Sequence, residues 1–314
     1  MKRLLLLGSG PVHLQWLRAL ARQPLTAAEV CWVVPFAERL HPPLLPALVA
    51  GRCSAAQARV ALRPLADAAK ARLIESPVLA VDAQARRVTL GNGDVIDGDA
   101  VSVDADATMA RDRIPGAREQ GLFLRPLEHF VRLLDPLLAL ARERVLDVVV
   151  AGGDAAAVEL ALALQQRLAA GGDERARVAL VSGGPPPLSS QPQPVADRVR
   201  RALARQRITV IPDACARIEA GVLHLAGGAR LACDAPLIAD GASPPPWLAA
   251  SGLQAVDDGR HAAGERPPLP RAAAPRLQWL IAGDGRAIAW HGAWAIESRW
   301  LGRWKERRER RFAV

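Results

Sequence analysis

Arg3-Leu-Leu-Leu-Leu-Gly-Ser-Gly-Pro-Val-His13 sets a short apolar run against a glycine turn that opens onto a proline. Four consecutive leucines suit a strand buried on both faces, and proline is tolerated in the first turn of a helix. The spacing therefore predicts a strand over 3–7, a turn at Gly8-Ser9-Gly10, and an amphipathic helix over 11–22. The same design recurs about 140 residues later. There Val145 to Val150 reads as a strand, Gly152-Gly153-Asp154 as the turn, and Ala155 to Ala169 as the helix. Each unit runs into a further apolar strand, Val30 to Val34 and Arg177 to Val181. The chain thus predicts two β-α-β units, a duplicated α/β architecture. After each comes a meander of short strands, Leu79 to Asp104 with a turn at Gly91-Asn92-Gly93, and Ala216 to Cys233 with turns at Gly221 and Gly227-Gly228. Ser54 to Arg72 is expected to include a mostly helical stretch, and a helix around Pro126 to Arg144 joins the halves.

Composition narrows the function classes. The 314 residues hold 41 Lys+Arg against 32 Asp+Glu, a formal charge of +9, with half of all residues apolar. This balance is globular and excludes a disordered or fibrous chain. Only Lys2, Lys70 and Lys305 are lysines, and there is no tyrosine. The arginine-rich surplus comes without a nucleic-acid recognition motif, so no nucleic-acid partner is expected. The apolar run after Met1 stops at Leu7, too short for a secretory leader, and no stretch reaches a membrane span. Cys31, Cys53, Cys215 and Cys233 are scattered without C-x-x-C or C-x4-C spacing. That predicts reduced thiols in a cytoplasmic protein, with neither a redox dithiol nor a metal site.

A glycine turn between strand and helix lets backbone N–H groups approach a pyrophosphate, and the helix N-terminus favours its charge. In the first turn Gly8 and Gly10 stand at the tight-turn and close-approach positions, and His13 replaces the packing glycine. In the second, Gly152 keeps the turn, Asp154 takes the close-approach position, and Ala157 stands at the packing position.

Further stretches carry a family resemblance. Leu44-Leu-Pro-Ala-Leu-Val-Ala-Gly51, Leu62-Arg-Pro-Leu65, Ile114-Pro-Gly-Ala-Arg118, Leu124-Arg-Pro-Leu-Glu-His-Phe130, Val158-Glu-Leu-Ala-Leu-Ala-Leu164 and Pro245-Pro-Trp-Leu-Ala-Ala-Ser-Gly252 are among them. With Gly283-Asp-Gly-Arg-Ala-Ile-Ala289 and the ending through Trp300, Trp304, Lys305 and Phe312, they cover nearly the whole chain. The chain resembles the FAD-dependent pyridine nucleotide-disulfide oxidoreductases, near type II NADH dehydrogenases. The nearest likeness is to flavoproteins associated with selenide, water dikinase. The resemblance implies two Rossmann-like domains, each with an antiparallel β arm, the second inserted in the first. FAD would lie in residues 1–120 plus 243–314, and NAD(P)H in residues 121–242. It implies hydride transfer from NAD(P)H to flavin and onward to a quinone or another acceptor. Gly8, Ser9, Gly10 and His13 would cradle the FAD pyrophosphate, with Pro35 nearby and Val78 facing the adenine. Gly152, Gly153 and Gly241 would meet NAD(P)H. Glu159 would point to the nicotinamide–flavin junction, the alternative being a solvated carboxylate. Arg125 would neutralise reduced flavin, the alternative being an ion pair with Glu128. Val181-Ser182 offers no acidic ribose anchor, so NAD and NADP are not distinguished.

The departures from the family pattern point one way. Ala105-Asp106 and Asp240-Gly241 stand where the family carries Thr-Gly pairs, and His41 replaces a nucleotide-facing Tyr. Asp154, Asp106 and Asp240 thus put carboxylates at three positions expected to face cofactor. The family's Phe-Ala-x-Gly-Asp segment has no room between Asp257 and Leu277, which leaves Asp284 as the candidate flavin aspartate. The second functional reading is therefore a non-catalytic, flavin-poor paralogue that binds a partner or a membrane. The last sixteen residues supply seven Lys/Arg against two Glu, more than half of the surplus. Ile296, Trp300 and Trp304 recur every four residues into that segment. A basic helix with tryptophans suits either peripheral contact with the inner face of a membrane or packing on the body of the protein.

Overall fold

The leucine run becomes the middle of a parallel sheet. The computed structural model describes residues 1–170, 176–255, 261–262 and 277–313. Contacts group the chain into two units: residues 1–39, 59–108 and 243–272, and residues 40–58, 109–242 and 273–314.

In the first unit, β1 (Lys2–Leu7) leads through the glycine turn into α1 (Pro11–Arg22) and back to β2 (Ala28–Val34). β3 (Arg72–Glu75) lies beside β2. An antiparallel arm of β4 (Val78–Asp82), β5 (Arg87–Leu90) and β6 (Val95–Asp97) then returns the chain to β7 (Ala100–Val103). The main sheet has the order β3-β2-β1-β7, with every pairing parallel. Alternation divides the leucines. Leu6 packs with Leu17, Leu20 and Trp32 under α1, while Leu5 and Leu7 pack with Val88 and Leu90 of the arm. Both faces are covered, which is why the strand reads as an unbroken apolar run.

The second unit repeats the plan. β8 (Leu122–Phe123) precedes α2 (Leu127–Glu143), β9 (Leu146–Ala151), α3 (Ala155–Ala169) and β10 (Ala176–Val181). α4 (Gln193–Arg205) and β11 (Thr209–Ile211) follow, then an antiparallel arm of β12 (Cys215–Glu219), β13 (Val222–Leu225) and β14 (Arg230–Ala232), and β15 (Ala235–Ile238). The sheet order is β8-β15-β9-β10-β11, again parallel. β16 (Gln278–Ile281), β17 (Ala287–His291) and β18 (Trp294–Ser298) form an antiparallel meander leading into α5 (Arg299–Ala313). α3 is sandwiched in this unit, and Ala157, Val158, Leu160–Leu164 and Leu168 are all buried.

Several expectations need correction. The helical stretch expected within Ser54 to Arg72 is broken in two: helices Ala55–Ala58 and Arg63–Ala68 flank a short strand, and Arg72 already belongs to β3. Pro64 opens the second of these helices, and Lys70, with φ of 54°, closes it. Residues 273–314 group with the second unit rather than the first, because β16 packs against α3 and β17 and β18 against α4. Ile296 lies in β18, not in the helix with Trp300 and Trp304. The Ser298 hydroxyl accepts the Leu301 N–H at 3.1 Å, so the helix starts only after it.

Candidate functional site

The two glycine turns sit at the carboxyl ends of their parallel sheets, and the first is built around one carboxylate. β7 ends at Val103, so Asp104 is the first residue past the strand and stands beside the end of β1. Its N–H donates to Leu7 O at 2.9 Å and its carbonyl accepts the Gly10 N–H at 2.9 Å. Its carboxylate accepts the Val12 N–H at 2.8 Å and the His13 N–H at 3.0 Å. A helix start leaves its first N–H groups without intrahelical partners. In α1, Pro11 has no N–H and Leu14 N–H closes onto Gly10 O at 3.1 Å. The two remaining donors both go to Asp104. A Cβ placed on Gly10 would lie 2.1 Å from Asp104 Oδ1. The close-approach glycine is thus used, but by the chain's own carboxylate.

His13 packs rather than binds. It is 1% exposed, with Nδ1 2.9 Å from Gly8 O and Nε2 2.9 Å from Ser102 Oγ. A carbonyl can only accept, so Nδ1 carries the proton and Nε2 accepts from the Ser102 hydroxyl. Burial lowers the imidazole pKa, against smaller opposing effects of Gly8 and Asp104, and favours this neutral form. His13 therefore ties α1 to β1 and β7, which is the packing task of the glycine it replaces. Ser9 is buried between them.

The test of this site against a dinucleotide is direct. A diphosphate on α1 needs the N–H groups and the space over Gly10 that Asp104 occupies. In this arrangement the residues do not accept one, and a dinucleotide bound here has to displace that carboxylate.

The second cradle is capped differently. Asp154 is the N-cap of α3, and its Oδ1 accepts the Ala157 N–H at 2.9 Å. Gly152 turns the chain with φ of 148°, and a Cβ there would lie 3.2 Å from Asp240 Cβ. Asp240 accepts from Gly241 N–H at 2.7 Å and Arg113 Nη2 at 3.0 Å, so its charge is balanced. Gly153 O accepts the Leu188 N–H at 2.9 Å, which draws the loop after Gly183 over the turn. Gly152, Gly153 and Gly241 are thus brought together, as are Gly8, Ser9, Gly10 and His13.

Other residues separate from these clusters. Asp106, expected to face cofactor, is 3.5 Å from Arg39 Nη2; the carboxylate in the first cradle is Asp104, two residues earlier. Pro35 is exposed just past β2, and Val78 opens the arm, half-buried on its core. Arg125 makes no ion pair among the described residues, and Glu128 instead accepts the Leu40 N–H at 3.0 Å. Asp284 lies in the β16–β17 turn of the second unit, 3.3 Å from Arg205 and 3.4 Å from Arg286. The stretch 263–276, most of the place where the family's Gly-Asp segment was expected to be missing, lies outside the described residues. His41 is 2.9 Å from Glu309, which holds that carboxyl below its ordinary range.

Glu159 is not a solvated carboxylate. It sits in the second turn of α3, accepts the Ile281 N–H at 2.6 Å, and faces Lys305 Nζ at 3.9 Å. Burial pushes its pKa up, while Lys305 and the Ile281 N–H partly oppose the shift. All four thiols are free, and burial raises Cys215 to about 11 and Cys233 to about 12. Neither is a thiolate near neutral pH. Asp104, Arg113 and Lys305 escaped the sequence reading. Only the position of Asp104 as the first residue past an alternating strand could have marked it.

The family model described as pyridine nucleotide-disulphide oxidoreductase matches residues 2–265. The sulfide:quinone oxidoreductase of the hyperthermophilic bacterium Aquifex aeolicus is similar in fold, with TM-score 0.77 and 14% identity over 99% of this chain and 90% of that one. NDH2 from Plasmodium falciparum, solved with NADH, gives TM-score 0.69 and 15% identity over 79% of this chain and 56% of its own. A NAD-dependent persulfide reductase from A. fulgidus gives 0.73 and 15%, over 91% and 63%. At such identities these likenesses speak for the fold. No curated protein matches the chain.

Proposed function

Because the chain belongs to the pyridine nucleotide-disulphide oxidoreductase family, we propose that it is an oxidoreductase passing electrons from NAD(P)H to a quinone. Oxidoreduction with FAD and NAD(P)H is the chemistry of that family, and both cofactors come to the chain by membership. The observation that carries the reading is the pair of glycine cradles, each between a strand and a helix at the carboxyl end of a parallel sheet. The first would serve FAD once Asp104 is displaced, and the second NAD(P)H. Arg125, without an ion-pair partner among the described residues, would offset negative charge at the flavin. Glu159, engaged by Ile281 and Lys305, enters as a positioning residue. The quinone rests on likeness to a sulfide:quinone oxidoreductase, and a place near flavoproteins linked to selenide, water dikinase rests on the motifs above.

The test is a visible spectrum of the purified chain after incubation with FAD. Flavin bands that bleach with NADH and return on adding a soluble quinone are the expected result. Bleaching without recovery would remove the quinone. A colourless protein would favour the second reading, a non-catalytic relative, for which Asp104 on α1 is the supporting observation.

The proposal includes peripheral contact with an anionic membrane, where quinones reside. Leu301 of α5 is 9% exposed and packs inward, while Trp294 and Trp300 are 85% and 68% exposed. Trp304 stacks on Trp300 with centroids 6.5 Å apart and meets Trp279 at a tilt with centroids 5.5 Å apart. Arg299 and Arg303 lie on the same helix. Exposed indoles beside arginines match an interfacial helix, and no described helix is long and apolar enough to cross a membrane. Replacing Trp294 and Trp300 together by alanine is expected to lower co-sedimentation with anionic liposomes about tenfold, with salt weakening both proteins. Equal binding by the two would dismiss the membrane contact.

A further inference from the structure

We propose that Asp104 is a built-in competitor for the dinucleotide diphosphate, so that the first cradle takes its dinucleotide weakly and exchangeably rather than holding it as a fixed prosthetic group. The inference rests on the family reading only in naming the ligand a dinucleotide.

Three features carry it. The carboxylate accepts from both N–H groups of α1 that lack an intrahelical partner, Val12 at 2.8 Å and His13 at 3.0 Å. It lies in the space a Cβ of Gly10 would fill, 2.1 to 2.4 Å from that position. Its backbone is anchored on either side, through the Leu7 carbonyl and the Gly10 N–H. A glycine with an ordinary φ, kept against an anion at a helix N-terminus, is the geometry of a phosphate cradle. Here the anion is covalently part of the chain, so no diffusion step limits its return. A diphosphate approaching the cradle meets a like charge and must also replace two charge-assisted hydrogen bonds. The chain's anchoring of the Asp104 backbone means that only the side chain has to rotate away. Binding is therefore weakened rather than abolished.

The experiment compares the full chain with Asp104→Ala and Asp104→Asn. FAD binding is followed by quenching of flavin fluorescence, and ADP, which carries the diphosphate without the flavin, by calorimetry. Asp104→Ala frees both N–H groups and is expected to bind both ligands at least about tenfold more tightly, about one charge-assisted hydrogen bond. Asp104→Asn keeps an acceptor for α1 but removes the charge, and is expected to fall between. This second variant also keeps the test decisive if alanine, by uncapping α1, prevents folding. ADP also raises the melting temperature of Asp104→Ala more than that of the parent. If neither variant binds more tightly than the parent, or if the parent is purified with stoichiometric FAD that dialysis does not remove, the proposal falls. The oxidoreductase reading fails separately, if the flavin of loaded Asp104→Ala is not bleached by NADH.

Discussion

Lys305→Met is expected to destabilise the chain by about 3 kcal/mol near neutral pH, and by less as the pH is lowered. Lys305 and Glu159 have side chains 13% and 18% exposed, so each lies mostly out of water. At 3.9 Å the ammonium compensates the carboxylate, whose other partner among the described residues is the Ile281 N–H at 2.6 Å. Methionine keeps the aliphatic packing of the stem and removes the charge, leaving a buried carboxylate with one hydrogen bond. The pH dependence follows from the direction of the Glu159 shift, which is upward from 4.5, chiefly through burial. The native state then holds a proton that the unfolded state has released, over the interval between the two pKa values. Stability from this group is present below about 4.5 and is lost as pH rises through the folded value. Removing Lys305 lifts the folded value further, so the deficit deepens towards neutrality and shrinks towards acid. Urea unfolding at about pH 5 and about pH 7.5 measures both effects. Adding Glu159→Gln to Lys305→Met is expected to restore most of the loss, because the amide oxygen still accepts from Ile281 and cannot ionise. A deficit independent of pH, or no rescue by the second change, would show that the pair does not hold α5 to α3.

That pair also shows where sequence reasoning reached and where it stopped. Helices at about 11–22 and about 155–169 were legible, because each follows a glycine turn and carries its own apolar residues. The two leading strands of each parallel sheet, over 3–7 and 30–34 and over 145–150 and 177–181, were legible for the related reason that a strand buried on two faces needs a continuous apolar run. The third strand of the first sheet, Arg72–Glu75, was not. Only Leu73 and Ile74 are apolar, and both are half-buried at the edge of that sheet, so nothing in the local pattern separates them from a helix end. The two glycine turns and the place of His13 were read from spacing, and Gly241 from the family resemblance. Asp104 was missed because its role depends on the long-range pairing of β1 with β7. A motif scan sees the turn and not the residue that a neighbouring strand delivers onto it. The same holds for Lys305, 146 residues from Glu159, whose helix meets α3 only through tertiary packing. Spacing shows which backbone could receive a ligand, whereas the groups that compete with or replace the ligand arrive from distant sequence.

The glycine pair of the first cradle separates these contributions by mutation. Gly8→Ala is expected to cost about 3 kcal/mol or more, a large fraction of the stability of an ordinary domain. Gly8 has φ of +93°, where an L side chain is strained by itself. Its added Cβ would also stand 2.4 Å from Asp104 O and 2.6 Å from Ala105 Cα, both backbone atoms. Gly8 cannot move aside, because its N–H donates to Val33 O at 2.8 Å and its carbonyl accepts from Trp32 Nε1 and His13 Nδ1, each at 2.9 Å. Gly10→Ala differs. Its φ of −62° is ordinary, and the nearest atoms to its new Cβ belong to the Asp104 carboxylate, which can rotate out. The expected cost is the loss of a helix cap, about 1 kcal/mol. Gly10→Ala and Asp104→Ala then remove the same interaction, so the double variant should be no less stable than the worse single one. Denaturant unfolding of the parent and the four variants decides the matter. A Gly8→Ala loss no larger than that of Gly10→Ala would mean that the 104–105 backbone yields, and additive losses in the double variant would mean that Asp104 does not cap α1. With both expectations met, Gly8 is fixed by the fold whether or not a dinucleotide binds. Gly10 is fixed only by what approaches it, which in this chain is Asp104.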